Sequence, residues 1–274
     1  MKQLHLLAWF AVGVLLPLLP LAAQVAPAPT KPTTPEAPIA ATRVLRLRVH
    51  WKGELPPAPK RVRLDPAWAA RNPDEAKLCG RCAEEGRLVD ESLLVDSKTR
   101  GIANVAVSLN GLEGSVSALV EPLLDNAECR FTPRVQFAAA GSALRVRNSD
   151  PFAHTARLSD SAGHLLWNAL IANAAESKTC ILPRAGLHTV LCDMHPWMRA
   201  SVIAVKHPFV GVSDSAGAAV VKGIPRSATK HVLVAWHESL GTARRTVDFA
   251  AIDGSVDAAG DAQITLAQQD FQRR

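Results

Sequence analysis

The stretch VLCDMHPWMRASV, residues 190–202, decides how this chain is interpreted. Alternating apolar segments flank it on both sides, LHTVLC before and ASVIAVKHP after, and they predict two strands joined by a tight loop. Within seven residues the loop carries the thiol of Cys192, the imidazole of His195 and the thioether of Met198. These groups are soft or borderline metal ligands, so the spacing indicates a metal site.

Short segments with a period of two recur along the rest of the chain. They read VLRLRVHW, NVAVSLNG, ALRVRNSDP and HVLVAWHE. Turn residues (Gly, Pro, Asn and Asp) separate them, which is typical of an antiparallel sandwich or barrel. Helix signals are weak, and PAWAARNPDEAK is the best short candidate. We therefore predict an all-β fold.

Copper that alternates between Cu(I) and Cu(II) needs ligands that suit both states. A thiolate and two imidazoles in a plane, with a weak axial thioether, meet this need. The loop lacks one imidazole, and the best candidate is His154 in RVRNSDPFAHTA, where the chain leaves a strand and enters a turn. The predicted ligands of one type 1 copper ion are His154, Cys192, His195 and Met198.

These motifs resemble the cupredoxins, the family of plastocyanin, azurin and amicyanin. The C-x₂-H-x₂-M loop is similar to the short ligand loop of amicyanin, and CRFTPRVQFAAAGSALRVRNSDPFAHT resembles the segment that leads to the family's first histidine. The likeness is tight over residues 129–206, although Thr155 stands where the family usually has Asn. It implies a Greek-key cupredoxin-like β-sandwich, one type 1 copper and one-electron exchange with a redox partner protein through an exposed edge of the His195 ring.

A second resemblance follows the first along the chain. The segment HPFVGVSDSAG…KGIP…HVLVAWHESLG is similar to the small transthyretin-like or carboxypeptidase-regulatory β module. The domain organisation expected from these patterns is a signal peptide at 1–23, a Pro/Ala-rich linker at 24–42, the cupredoxin-like sandwich at 43–206, the small β module at 207–246 and a C-terminal tail at 247–274.

The N-terminus predicts export. Lys2 precedes an apolar run that is short for a membrane span and is interrupted by Pro17 and Pro20, which indicates a secretory signal peptide. We expect a periplasmic or secreted protein with no stable membrane span after cleavage. The chain carries 31 Lys and Arg against 25 Asp and Glu, but the excess is spread along the sequence, so we expect no nucleic-acid binding.

Five cysteines in an exported chain leave one without a disulfide partner. Assigning Cys192 to a metal leaves four, enough for two disulfides. The CGRC pair alone would close a very small loop, so we expect Cys129 to bond with either Cys79 or Cys82, and the pairing of Cys180 stays open. A redox role for CGRC is less favoured, because no thioredoxin-type strand-to-helix unit surrounds it.

Two alternatives remain beside type 1 copper. The first is a zinc site of the Cys₃His type, formed by Cys79, Cys82, Cys192 and His195. It leaves His154 and Met198 without a role and requires reduced thiols in an oxidising compartment. The second is a metal-free β-sandwich with a binding or structural function. The sequence has no His-x-His pair, paired-carboxylate or Ser-His-Asp pattern above chance, so we do not expect an enzyme.

Overall fold

A computed structural model describes residues 42–252 and 262–273. The predicted signal peptide at 1–23 and nearly all of the predicted linker lie outside the described residues. The all-β prediction is confirmed, because the described part contains sixteen strands and three short α-helices. Within the same ranges, no helix has the length and apolar content that crossing a bilayer requires.

The elements follow one another along the chain with these bounds. The strands are β1 (Thr42–His50), β2 (Ala106–Asn110), β3 (Leu123–Ala127), β4 (Arg130–Thr132), β5 (Val135–Ala139), β6 (Ala143–Asn148), β7 (His154–Asp160), β8 (Leu165–Ile171), β9 (Ser177–Ile181), β10 (Gly186–Leu191), β11 (Arg199–Val205), β12 (Val210–Val212), β13 (Ala218–Pro225), β14 (Lys230–His237), β15 (Gly241–Asp248) and β16 (Ala262–Ala267). The helices are α1 (Pro66–Arg71), α2 (Pro73–Glu84) and α3 (Phe249–Ile252).

Strands β3 to β11 form the sandwich that carries the predicted ligands, here called the site sandwich. One sheet has the order β5-β11-β10-β7-β8 and the other β4-β3-β6-β9. Alternate residues of both sheets, among them Leu124, Leu144, Leu158 and Val202, point inward and share one core. The sandwich is not purely antiparallel, because β5 lies parallel to β11 and β3 parallel to β6. Parallel neighbours require long connections, and each of these pairs is separated by other strands in sequence.

The remaining strands form a second sandwich with its own core. Its sheets have the orders β13-β1-β16 and β12-β2-β14-β15. Leu45, Val107, Val221 and Phe249 are among the buried residues between them.

The strand pairing crosses the domain limits expected from the sequence. Strand β2 and all of β1 except Thr42 lie within residues 43–206 but pair with strands of the second sandwich, and β16 lies within the predicted tail. The reason is that alternation shows which face of a strand is buried, but not which strands lie beside it.

Residues 61–89, here called the helical cap, contain two short helices that belong to neither sandwich. The side chain of Asp65 accepts a hydrogen bond from the backbone N–H of Trp68 at 2.8 Å and so caps α1. The weak helix candidate is therefore real, but it is two helices, because Pro73 disfavours helical geometry at the residue before it. A backbone bridge between Arg61 and Val89 closes the cap at its base.

One disulfide connects the helical cap to the site sandwich. Cys79 of α2 is bonded to Cys129, which confirms the expected pairing of Cys129 and selects Cys79 as its partner. Cys82, Cys180 and Cys192 are buried free thiols. Cys82 packs beside the disulfide in a small apolar cluster that also contains Leu88. The cap is thus held by a covalent bond and by a small apolar cluster that it shares with Cys129, Phe152 and Trp197.

The buried imidazole of His237, at the end of β14, makes stability depend on pH. Burial first, and then the positive charge of Arg134, lower its pKa to about 4. The unfolded state, with a pKa near the ordinary value of about 6.5, binds the proton more readily, so stability is lost as pH falls from about 6.5 to about 4. We expect His237→Gln to reduce this loss by up to about 3 kcal/mol in urea unfolding. The exposed His164→Gln serves as the control, and equal pH slopes in wild type and His237→Gln would contradict the prediction.

Candidate metal centre

Three of the four predicted ligands meet at one end of the site sandwich. The donor atoms of His154, Cys192 and His195 all lie within 4.8 Å of one another, and all three residues are buried. The register explains this arrangement. β10 pairs with β7 through Leu191 opposite Arg157, so the beginning of β7 lies beside the end of β10. His154 opens β7, and Cys192 directly follows β10.

Residues 192–198, the ligand loop, connect β10 to β11. The backbone N–H of Met198 donates to the carbonyl of His195 at 2.9 Å, and that of Cys192 donates to the carbonyl of Met198 at 3.3 Å. Burial in the loop has a period of three, with Cys192, His195 and Met198 buried and Asp193 and Pro196 exposed. The C-x₂-H-x₂-M spacing therefore turns each predicted ligand towards the interior.

The distances around Cys192 fit a shared ion. Its Sγ lies 3.5 Å from Nδ1 of His195 and 4.0 Å from Nδ1 of His154. Bonds of about 2.0 Å to nitrogen and about 2.3 Å to sulfur, the lengths known for zinc, separate the two donors by roughly 3.7 Å when they meet at about 120°. An ion bound at Sγ and Nδ1 takes the position of the protons that these contacts otherwise share. Two imidazoles and one thiolate suit copper or zinc.

Each imidazole is oriented by a carboxylate on its far side. Nε2 of His154 donates to Oδ2 of Asp150 at 3.0 Å, and Nε2 of His195 donates to Oε2 of Glu75 at 3.1 Å. A carboxylate oxygen only accepts, so Nε2 carries a proton in both rings. Nδ1 faces Cys192, where it shares a proton with the thiol or, in a neutral ring, offers its lone pair to a metal ion. Partners of this kind fix the tautomer and raise the basicity of a histidine ligand.

Asp150 itself is held firmly in place. Its two carboxylate oxygens accept backbone hydrogen bonds from Glu128 at 2.7 Å and from Cys129 at 3.0 Å. Burial alone would raise the pKa of Asp150, but the hydrogen bond from His154 and those backbone bonds outweigh it, so the pKa is lowered. Sequence reasoning missed Asp150, although its position in the turn that leads to His154 could have indicated a role.

The surroundings of Cys192 favour the thiolate form of its side chain. Burial raises its pKa, but hydrogen bonds from His154, His195 and the backbone of Thr155 outweigh burial and lower the pKa to about 5. For His154, burial acts to lower the pKa, and the hydrogen bonds with Asp150 and Cys192 raise it above the ordinary value. The thiolate is the form of cysteine that binds metals.

Thr155 connects the ligand loop to β7. Its backbone N–H lies 3.4 Å and its hydroxyl 3.7 Å from Sγ of Cys192. The hydroxyl also accepts a hydrogen bond from the backbone N–H of Asp193 at 2.7 Å. Thr155 therefore fixes the thiol and the first residues of the loop.

Met198 lies in the core of the site sandwich, in the same cluster as Cys192, with 1% of its surface exposed. This burial is compatible with an axial ligand and with a core side chain. Its predicted axial role remains a prediction.

The expectation of an exposed His195 edge is wrong, because the ring is fully buried. The centroids of Trp68, Phe152 and Trp197 lie 5.5, 5.7 and 5.3 Å from that of His195, and Glu75 covers Nε2. Trp68 and Glu75 belong to the helical cap, and Glu75 is 120 positions away from His195 in sequence. No local pattern could have revealed a contact of that range.

The Cys₃His zinc alternative is also wrong. Cys79 is bonded to Cys129 and has no free thiolate to offer. Cys82 packs with the disulfide in the core of the helical cap, outside the group formed by His154, Cys192 and His195. The two cysteines of the CGRC motif therefore do not belong to the metal centre.

Comparison with known proteins finds a likeness to some solved structures over about a third of the chain. No protein-family model matches the sequence, and neither does any curated protein. Among solved structures, it is similar to a purple cupredoxin from Nitrosopumilus maritimus, with 18% identity and a TM-score of 0.28 over 31% of this chain and 100% of the other. The reduced Cu(I) form of an amicyanin variant gives 13% identity and a TM-score of 0.29 over 36% of this chain and 98% of the other.

A copper-containing nitrite reductase from Thermus scotoductus is also similar, with 17% identity and a TM-score of 0.27 over 31% of this chain and 22% of the reductase chain. These structural neighbours are copper proteins, but the likeness spans about a third of this chain. It does not assign the chain to a family. The case for copper rests on the donor geometry described above.

Asp150→Asn tests the carboxylate behind His154. The amide keeps an acceptor oxygen but loses the charge that makes Nδ1 a stronger donor, so we expect Cu(II) affinity to fall about 10- to 100-fold in a chelator competition. Asp193→Asn removes a carboxylate from the exposed side of the same loop and should leave the affinity within about threefold. Equal affinities in the two variants would show that Asp150 does not act through His154.

Proposed function

We propose that this chain is an exported type 1 copper protein that carries one electron at a time. The observation that carries the proposal is the convergence of two imidazole Nδ1 atoms on the buried thiol of Cys192, whose pKa is lowered to about 5. Met198, the fourth ligand in the proposal, is buried in the same core. This ligand set serves both oxidation states of copper.

Bound copper would supply reversible one-electron transfer at this site. The chain's contribution is to hold the donors still, because His154 and Cys192 lie at the ends of paired strands and Thr155 ties the thiol to β7. Phe152 and Trp197 pack around the imidazoles and exclude water. Fixed donors in a dry site keep the structural change small when the charge of the ion changes, which favours fast electron transfer.

Export and the redox partner are further parts of the proposal. The basic and apolar N-terminal sequence supports export, and the Cys79–Cys129 disulfide supports an oxidising compartment. The partner is a redox protein that delivers or accepts a single electron. The proposal includes no catalytic activity.

The metal and its main ligand can be tested by absorption. We expect Cu(II) added to the folded protein to produce an intense visible band from thiolate-to-copper charge transfer, and Cys192→Ser to abolish it, because a hydroxyl is a poor substitute for a soft thiolate. Cys180→Ser removes another buried thiol of the same core and should keep the band. A colourless wild-type protein that retains zinc after purification would contradict the copper assignment.

Met198→Leu tests the axial ligand. If the thioether binds copper weakly, its removal keeps copper and colour but moves the reduction potential upward, since a lost donor disfavours Cu(II). If Met198 only fills the core, the nearly volume-conserving change costs less than about 1.5 kcal/mol and leaves the potential unchanged. Met194→Leu, at a half-buried position of the same loop, is the matched control in reversible voltammetry. The absence of any reversible wave in the wild-type protein would refute electron transfer.

A further inference from the structure

The helical cap brings Glu75 to the metal centre. Its Oε2 accepts a hydrogen bond from Nε2 of His195 at 3.1 Å, with 16% of the Glu75 side chain and none of the His195 side chain exposed. Trp68 of α1 packs edge-on against the same ring and against Trp197 of the ligand loop. The cap therefore closes the side of His195 that faces away from Cys192.

The position of Glu75 is fixed by the disulfide that connects α2 to the site sandwich. One helical turn after Glu75, Cys79 forms the disulfide with Cys129. The carbonyl of Cys129 accepts a hydrogen bond from the indole of Trp197 at 2.9 Å, and its backbone N–H donates to Asp150 at 3.0 Å. A single residue of the site sandwich thus connects the cap to the ligand loop and to the carboxylate behind His154. Glu75 belongs to a rigid frame.

The negative charge of Glu75, together with two others, acts on the proposed copper ion. The Cys192 thiolate, Asp150 and Glu75 place three negative charges on or next to the proposed ligands, two of them within hydrogen-bond distance of an imidazole Nε2. If copper is bound, uptake of one electron from a reduced partner protein would lower the charge of the ion from +2 to +1. The attraction to these three negative charges would fall with it, and the attraction is strong where little water screens it. Each carboxylate therefore favours the oxidised ion.

We propose that Glu75 is a positioning residue for His195 that also lowers the reduction potential of the copper, so that the helical cap both covers the site and favours Cu(II). The inference rests on the proposed function as a copper protein. The Glu75 side chain has two effects. The hydrogen bond holds Nδ1 of His195 towards Cys192, and the negative charge biases the oxidation state.

Glu75→Gln separates charge from position. The amide oxygen still accepts from Nε2 of His195, so copper and its visible band stay, while the reduction potential moves upward because one negative charge is gone. Asp74→Asn is the matched control, because it changes the charge of the preceding, exposed residue of α2 equally and should leave the potential where it is in the wild type. Equal potentials in wild type and Glu75→Gln, or equal shifts in both variants, would overturn the charge effect.

Glu75→Ala tests positioning. Without its anchor the His195 ring gains freedom, and we expect Cu(II) affinity to fall about 10- to 100-fold, whereas Glu75→Gln restores most of it. Loss of affinity in Glu75→Gln equal to that in Glu75→Ala would overturn the positioning role. Circular dichroism and a determination of free thiols check that the fold and the Cys79–Cys129 disulfide are intact in each variant.

A readout without copper keeps this inference separate from the proposed function. In the protein prepared with a chelator, the Nε2–H proton of His195 should give a slowly exchanging ¹H–¹⁵N signal in wild type and Asp74→Asn, and the signal should disappear in Glu75→Ala. A wild-type protein that shows this signal but develops no visible band with Cu(II) would refute the copper function while supporting the contact. A band without the signal would support the copper function and overturn the role of Glu75.

Discussion

Burial of the Cys192 thiolate is the constraint on which the rest of the site depends. A charged sulfur removed from water is costly unless donors or a cation compensate it. Here the compensation comes from the two imidazoles, His154 and His195, and from the backbone of Thr155. Because each imidazole must then keep one nitrogen facing the sulfur, each needs a carboxylate for the other nitrogen. The buried thiolate therefore requires the two imidazoles and also the carboxylates of Asp150 and Glu75 behind them.

The frame around this site comes from strand pairing and one covalent bond. Strand β7 pairs with β10, and β10 pairs with β11, so that His154 lies beside the ligand loop. The position of His154 therefore depends on the sheet and not on the conformation of a free loop. The disulfide of Cys129 then fixes the helical cap to the site sandwich. Side chains that must be held to within a fraction of an ångström are better placed on such elements than on free loops. The arrangement fits a site whose ligands should not move when an electron arrives.

The helical cap shields the His195 ring from solvent and from direct contact with a partner protein. His195 has no exposed edge, so a partner cannot contact its ring, and the aromatic side chains of Trp68, Phe152 and Trp197 separate it from solvent. A covered imidazole in a dry environment feels nearby charges strongly, because little water screens them. Covering and electrostatic tuning are thus two results of the same packing.

The sequence was sufficient to predict the all-β class, the ligand loop, the selection of His154 and two candidate partners for Cys129. These predictions follow from a period of two, short spacing and the number of cysteines. It also indicated the position of the helical cap, but weakly. Three features became visible only in the folded chain: β1 and β2 join the second sandwich, Glu75 and Asp150 orient the imidazoles, and His195 is buried. The physical reason is range: alternation and spacing report on neighbours in sequence, whereas these contacts connect segments that meet only when the sheets pack.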